Sequence, residues 1–186
     1  MGRPVLALRG LQIKQREVDS ILAWSIDSAG AQSTRGSESG KEDPMKKVRD
    51  ILDVKGHNIW WISPTASVYD AMKLMAEKGV GALLVMKQER LVGIISERDY
   101  ARKVILQGRA SRTTEVQEIM TSRVLCAEPQ QTVEECMALM TEKRFRHLPV
   151  IEQDRVIGVI SIGDLVKSII AEQKFIIEQL ERYIRS

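Results

Sequence analysis

The chain has few aromatic residues: three Trp, three Tyr and two Phe among 186. That scarcity argues against a stacking platform for single-stranded nucleic acid, which needs flat side chains along a basic groove. Cysteine is equally sparse. Cys126 and Cys136 have a spacing that neither a metal site nor a redox pair uses, so both read as buried thiols of a reducing compartment. His57 and His147 are the two histidines, in unrelated contexts. With no His/Cys cluster, no Gly-rich phosphate loop and no nucleophile elbow, neither a catalytic residue nor a bound metal is expected. No apolar run is long enough to span a bilayer. The N-terminal stretch has no continuous apolar core followed by a small-residue cleavage site. The expected location is cytoplasmic, or an organelle matrix if residues 1–44 are a targeting segment.

Charge narrows the partners. The formal net charge is +3, and the first 44 residues add nothing to it, because six Lys/Arg there balance six Asp/Glu. The basic excess sits on the remainder, and so mild an excess suits a small anionic ligand better than a duplex. A pI near 8.9 keeps a nucleic-acid-binding protein as one alternative, although the basic residues are scattered and form no recognition-helix pattern. A small nucleotide-using enzyme is the other.

The chain contains an internal repeat. Gly93-Ile94-Ile95-Ser96-Glu97-Arg98-Asp99 is echoed by Gly158-Val159-Ile160-Ser161-Ile162-Gly163-Asp164. The same offset of 65 residues superposes Pro64 on Pro129, Met72 on Met137, Leu83 on Leu148 and Arg90 on Arg155. Residues 1–44 are outside it; with a Gly/Ser-rich stretch over 28–40 they read as a poorly ordered extension. The folded unit is expected from Met45. The first unit covers 45–106, a connection 107–113, and the second unit 114–170.

Each unit reads as a short helix, strand, helix, strand, strand, helix. Val48, Ile51 and Leu52 have helical spacing, matched by Val116, Ile119 and Met120. Ile59–Ile62 and Val124–Ala127 are expected strands, each followed by a proline. Ser67…Asp70 and Thr132…Glu135 are capping boxes opening helices whose methionine stripes read as core. Ala82–Met86 with Leu91–Ile95, and Leu148–Ile151 with Val156–Ile160, are predicted hairpins. A helix is predicted from Glu97 to about Leu106. Its counterpart from Ile162 continues over 171–186 as an amphipathic tail.

This order, with Gly-x-x-Ser-x-x-Asp closing the second strand of each hairpin, resembles the cystathionine β-synthase (CBS) domain. Two in tandem are similar to a Bateman module, over about residues 46–170, as in stand-alone bacterial and plant-organelle CBS-pair proteins. The resemblance implies an α/β (α+β) fold of two β-α-β-β-α repeats packed sheet to sheet with pseudo-two-fold symmetry. It also implies a non-enzymatic regulatory module acting on an unknown partner protein, and pairing into a disc-shaped homodimer through helices. The implied ligand is an adenine nucleotide in the cleft between the repeats, AMP, ADP or ATP first, then NAD(H) or S-adenosylmethionine.

Several residues match the family's site positions. Asp99 and Asp164, just inside helix starts, would accept hydrogen bonds from a ribose diol, and Ser96 and Ser161 would offer hydroxyls. Arg98 from one copy and Arg146, His147 and Pro149 from the other occupy phosphate positions, where an Arg fork can contact two oxygens. The other copy has Gly163, Gly81 and Ala82 at the positions answering Arg98, Arg146 and His147. Two readings remain open at this stage. Ser-x-x-Asp is also simply a capping box, and Arg98 and Arg146 are also ordinary surface charges. Residues 61–64 and 124–127 are candidates for an adenine slot, or plain core.

Overall fold

The computed structural model describes residues 45–185; the expectations for the N-terminal extension lie outside them. Helix α1 (Val48–Lys55) precedes strand β1 (Trp61–Ile62) and helix α2 (Val68–Lys78). Strands β2 (Ala82–Lys87) and β3 (Arg90–Ser96) lead into α3 (Glu97–Tyr100), which continues as a π-helical turn over Ala101–Ile105. The second repeat has α4 (Val116–Ile119), α5 (Val133–Lys143), β4 (His147–Glu152), β5 (Arg155–Ser161) and α6 (Ile162–Arg185).

Local chemistry sets these boundaries. The Ser67 and Thr132 hydroxyls accept from the backbone N–H of Asp70 and Glu135, satisfying donors that a helix start leaves orphaned. Gln88 and Glu89 have φ of 48° and 64°, and Gln153 and Asp154 have φ of 48° and 60°. Positive φ at both central residues is what a two-residue turn needs to follow the right-handed twist of its strands. The two hairpins share one register: Ala82 faces Ser96 as His147 faces Ser161, each with an irregularity one residue past Val85 or Val150. The helix predicted to reach Leu106 is only partly α-helical. The Leu106 N–H reaches back five residues to the Ala101 carbonyl, at 3.2 Å, and Val104 is fully buried.

The first strands differ from expectation. Strand β1 is two residues long and parallel to β2, with Trp61 opposite Leu84. Of Val124–Ala127, only Ala127 pairs, as a parallel bridge to Val150. The cause is a single residue. In the first repeat the Leu84 N–H donates to the Trp60 carbonyl at 3.1 Å. The corresponding residue of the second repeat is Pro149, which has no N–H to donate, so the ladder stops at Ala127.

Neither core is built from one contiguous repeat. Val48, Ile51 and Leu52 of α1 pack with Met140, Leu148 and Ile160 of the second repeat. Val116 and Ile119 of α4 pack with Met75, Leu83 and Ile95 of the first. Backbone bonds seal the exchange: Val48 and Arg49 N–H donate to the Gln131 and Pro129 carbonyls, and Val116 and Gln117 to those of Ala66 and Pro64. The opposite sheet faces meet through Leu84, Met86 and Val156. Cys136 and the methionines Met75 and Met140 are core residues, while Cys126 is half-buried with its thiol donating to the Val124 carbonyl.

Candidate functional site

Each hairpin ends at a serine that opens the next helix. Ser96 Oγ accepts from the Asp99 N–H at 3.3 Å and donates to Asp99 Oδ2 at 2.7 Å, and the Ser96 N–H donates to the same oxygen at 3.1 Å. Ser161 and Asp164 repeat this at 3.3, 2.7 and 2.8 Å. The capping boxes are therefore real, and each fixes a carboxylate at a helix start beside the junction of the repeats. The two carboxylates are comparably accessible, with side chains 17% and 18% exposed.

Both carboxylates also hold a lysine. Lys103 Nζ lies 2.8 Å from Asp99 Oδ1 and donates to the Ile119 carbonyl at 2.6 Å. Lys55 Nζ lies 2.6 Å from Asp164 Oδ2 and donates to the Val159 carbonyl at 3.0 Å. Burial pushes the Asp164 carboxyl upward, but hydrogen bonds from Lys55 and Ser161 outweigh it and hold the group below its ordinary value.

A cleft of about 390 Å3 opens between the repeats at the Asp99 side. Its floor includes Ser96 and Asp99, and Val124, Leu125 and Phe145 supply apolar wall. Arg98, Arg102 and Lys103 reach it from the helical segment after β3. Lys143, Arg144 and Arg146 come from the turn between α5 and β4, and Arg123 from the segment after α4. Seven cationic side chains thus face one carboxylate. Arg98 donates to the Arg144 carbonyl at 2.7 Å, tying the two repeats together across the cleft.

His147 also lines the cleft, at the seam. A Cβ on Gly81 would come within 3.4 Å of its ring, so the glycine answering Arg146 in the other repeat leaves room for it. Burial, then repulsion from Arg146 and Lys55, hold the imidazole below its ordinary value against the opposing pull of Asp164.

The sequence-predicted residues divide accordingly. The cleft brings together Ser96, Arg98, Asp99, Arg146 and His147. Ser161 and Asp164 form the related group at the other end of the pseudo-dyad, beside Lys55. Pro149 is buried in β4, its carbonyl accepting from the Ala127 N–H at 2.8 Å, and it stands outside the cleft lining. Sequence reasoning missed Arg102, Lys103, Arg123, Lys143 and Arg144. For Arg144 a signal existed: it takes φ 58° at the end of α5, where the first repeat has Gly79 at φ 63°. A non-glycine residue there costs about 1 kcal/mol, so an arginine in place of the usual glycine marks a position held for its side chain. Among the described residues no cluster of His, Cys, Asp or Glu is placed to hold a metal ion, and no helix is long and apolar enough to cross a membrane.

Two exchanged α+β repeats enclosing a basic cleft lined by a carboxylate define a tandem domain pair with a ligand-sized cavity at its seam. The CBS domain family model matches residues 48–105 and 116–171, and the chain belongs to that family. It is 41% identical to the mitochondrial CBS domain-containing protein CBSX3 of Arabidopsis thaliana, over 85% of this chain and 80% of that protein. It is 56% identical to a solved CBS-domain protein of Burkholderia ambifaria, with a TM-score of 0.67 over 69% of this chain and 96% of that one. A CBS domain protein of Pyrobaculum aerophilum, complexed with AMP, has the same fold at 21% identity. Its TM-score is 0.57, over 63% and 88% of the two chains.

Proposed function

We propose that this chain is a non-enzymatic regulatory module that binds an adenine nucleotide in the Asp99 cleft and passes the binding on as a change of shape or of partner contact. Asp99 takes the ribose diol, giving up or sharing its contact with Lys103. Arg98, Arg146 and His147 take phosphate, and Val124, Leu125 and Phe145 offer apolar surface to the base. The observation that carries the reading is the convergence of Ser96, Arg98 and Asp99 from one repeat with Arg146 and His147 from the other. AMP, ADP and ATP lead; NAD(H) and S-adenosylmethionine follow, since a diol contact ignores what hangs beyond the ribose. The AMP complex of a protein with this fold supports the same class. Ser161 and Asp164 form a second, related ribose site that opens only when Lys55 leaves. Pro149 acts indirectly, by stopping the strand ladder so that Val124 and Leu125 reach the cleft. A ligand that prefers one arrangement of the repeats shifts their population by its differential affinity.

The partner at α6 is a second copy of this chain. Val166, Ile170, Ile177, Leu180 and Ile184 are exposed and fall at alternating steps of four, seven, three and four residues, a coiled-coil stripe. Lys167 and Glu181 flank that stripe so that antiparallel pairing of two such helices sets opposite charges side by side.

Thermal shift and calorimetry against AMP, ATP, NADH and S-adenosylmethionine test the binding. Ligands that bind only the folded form raise its melting temperature. A shift that disappears in Asp99→Ala is expected; shifts that survive both Asp99→Ala and Asp164→Ala sink the assignment.

A further inference from the structure

The charge asymmetry of the two repeats goes further than the cleft itself. At the offset of 65 residues, Arg98 answers to Gly163, Arg123 to Asn58, Arg144 to Gly79 and Arg146 to Gly81. Lys103 answers to Ser168, and lysines remain at 78 and 167, opposite Lys143 and Arg102. Lys55, whose counterpart is Met120, adds a third cation at the Asp164 end, so seven cations on the Asp99 side stand against three on the other. These two ends began as copies, so the difference is a property of the site and not of the fold.

Most of that charge is unspent. Lys103 is engaged by Asp99, Lys143 by Glu142 and Arg98 by a carbonyl. The guanidinium groups of Arg102, Arg123, Arg144 and Arg146 have no ion-pair or hydrogen-bond partner among the described residues. They approach from three separate segments around one cavity. A single phosphate carries about two negative charges near neutral pH, and Arg98 with Arg146 would already suffice for it. Arg102, Arg123 and Arg144 are left over.

Resting on the nucleotide reading above, we infer that the Asp99 cleft is selective for an adenosine ligand bearing two or more phosphates, a nucleoside di- or triphosphate, over its monophosphate. The same field disfavours a cationic sulfonium ligand in this cleft. Arg144 is the clearest member of the polyphosphate set, because the backbone there would be better served by glycine.

The test is calorimetric titration of the full chain with adenosine, AMP, ADP, ATP and S-adenosylmethionine at fixed ionic strength, without added magnesium, alongside Arg144→Gly and Arg123→Asn. The expected order is ATP tighter than ADP and ADP tighter than AMP, with at least tenfold between the extremes and steeper salt dependence for ATP. Arg144→Gly is expected to weaken ATP several-fold, leave AMP within about twofold, and raise the melting temperature by relieving the left-handed backbone. Inorganic triphosphate should compete with ATP. If AMP binds as tightly as ATP, and that binding needs Asp99, the polyphosphate inference is overturned while the nucleotide reading stands. If none of the five compounds binds, both are overturned.

Discussion

Gly158 lies directly beneath Leu52. A Cβ at Gly158 would approach Leu52 Cδ2 to 2.7 Å and Cδ1 to 3.2 Å, and Leu52 is fully buried in the second core. The glycine of Gly-x-x-Ser-x-x-Asp is thus the place where the exchanged helix α1 sits down on strand β5. Gly93 does the same for α4, where a Cβ would collide with Met120. Gly158→Ala is expected to destabilise by about 1–3 kcal/mol through overpacking, and Gly93→Ala by a similar amount: the Met120 end can move, but the Thr121 carbonyl, 3.2 Å from such a Cβ, is backbone. Urea unfolding checks both; an unchanged midpoint for Gly158→Ala would remove this account of the motif.

Nucleotide binding should take up a proton at His147. The imidazole is held below its ordinary value of 6.5 in the unliganded protein, and phosphate arriving beside it favours the charged form. Affinity should therefore rise as pH falls toward and below that value. Phosphate's own second ionisation, near 6, works against the trend, so the comparison is with His147→Gln, which should lose the upward component. Identical pH profiles for the two proteins would exclude His147 from the phosphate site.

Acid stability carries two separate signs of the same kind. The folded state prefers neutral His147, so that contribution is complete above the unfolded value near 6.5 and is lost as pH falls below it toward the folded value. The folded state prefers ionised Asp164, so its contribution is complete above the unfolded value of about 3.8 and lost as pH falls through the lower folded one. Lys55→Met should shrink the second component, read as a smaller fall in melting temperature on acidification below about pH 4, the ordinary carboxylate value.

Cys136 should resist alkylation until the second core opens. Burial, with Glu135 adding to it, pushes the thiol up to about 12, and the thiolate is the reacting form. Mass spectrometry after iodoacetamide at neutral pH should find Cys136 unmodified in the folded chain and modified in denaturant.

The outer stripe of α6 should hold two copies together. Ile177 and Leu180 are 55% and 57% exposed and touch neither core. Ile177→Asp should convert a dimer to a monomer by light scattering, with little change in the circular dichroism of the repeats. A wild-type monomer at micromolar concentration would refute the pairing.

Much of this was legible in the sequence because it is local. Hairpin register follows from alternating residues and a two-residue turn, and Ser96 with Asp99 form a cap readable from their spacing alone. The parts that were not legible are those set by distant partners. Nothing in Val48-x-x-Ile51-Leu52 says that it packs on the second repeat, because apolar spacing identifies a buried face and not what covers it. Arg123 and Lys143 look like ordinary surface charges until the fold closes them around Asp99. Pro149 was read as a phosphate neighbour, yet what the backbone makes of it is the lack of a donor.

The exchange of leading helices gives the molecule an unusual mechanical order. A force applied at Val48 would peel α1 from the core containing Leu148 and Ile160, loosening the repeat farthest along the chain before the one next to the point of attack. Lys55, at the far end of the same helix, carries that displacement to Asp164.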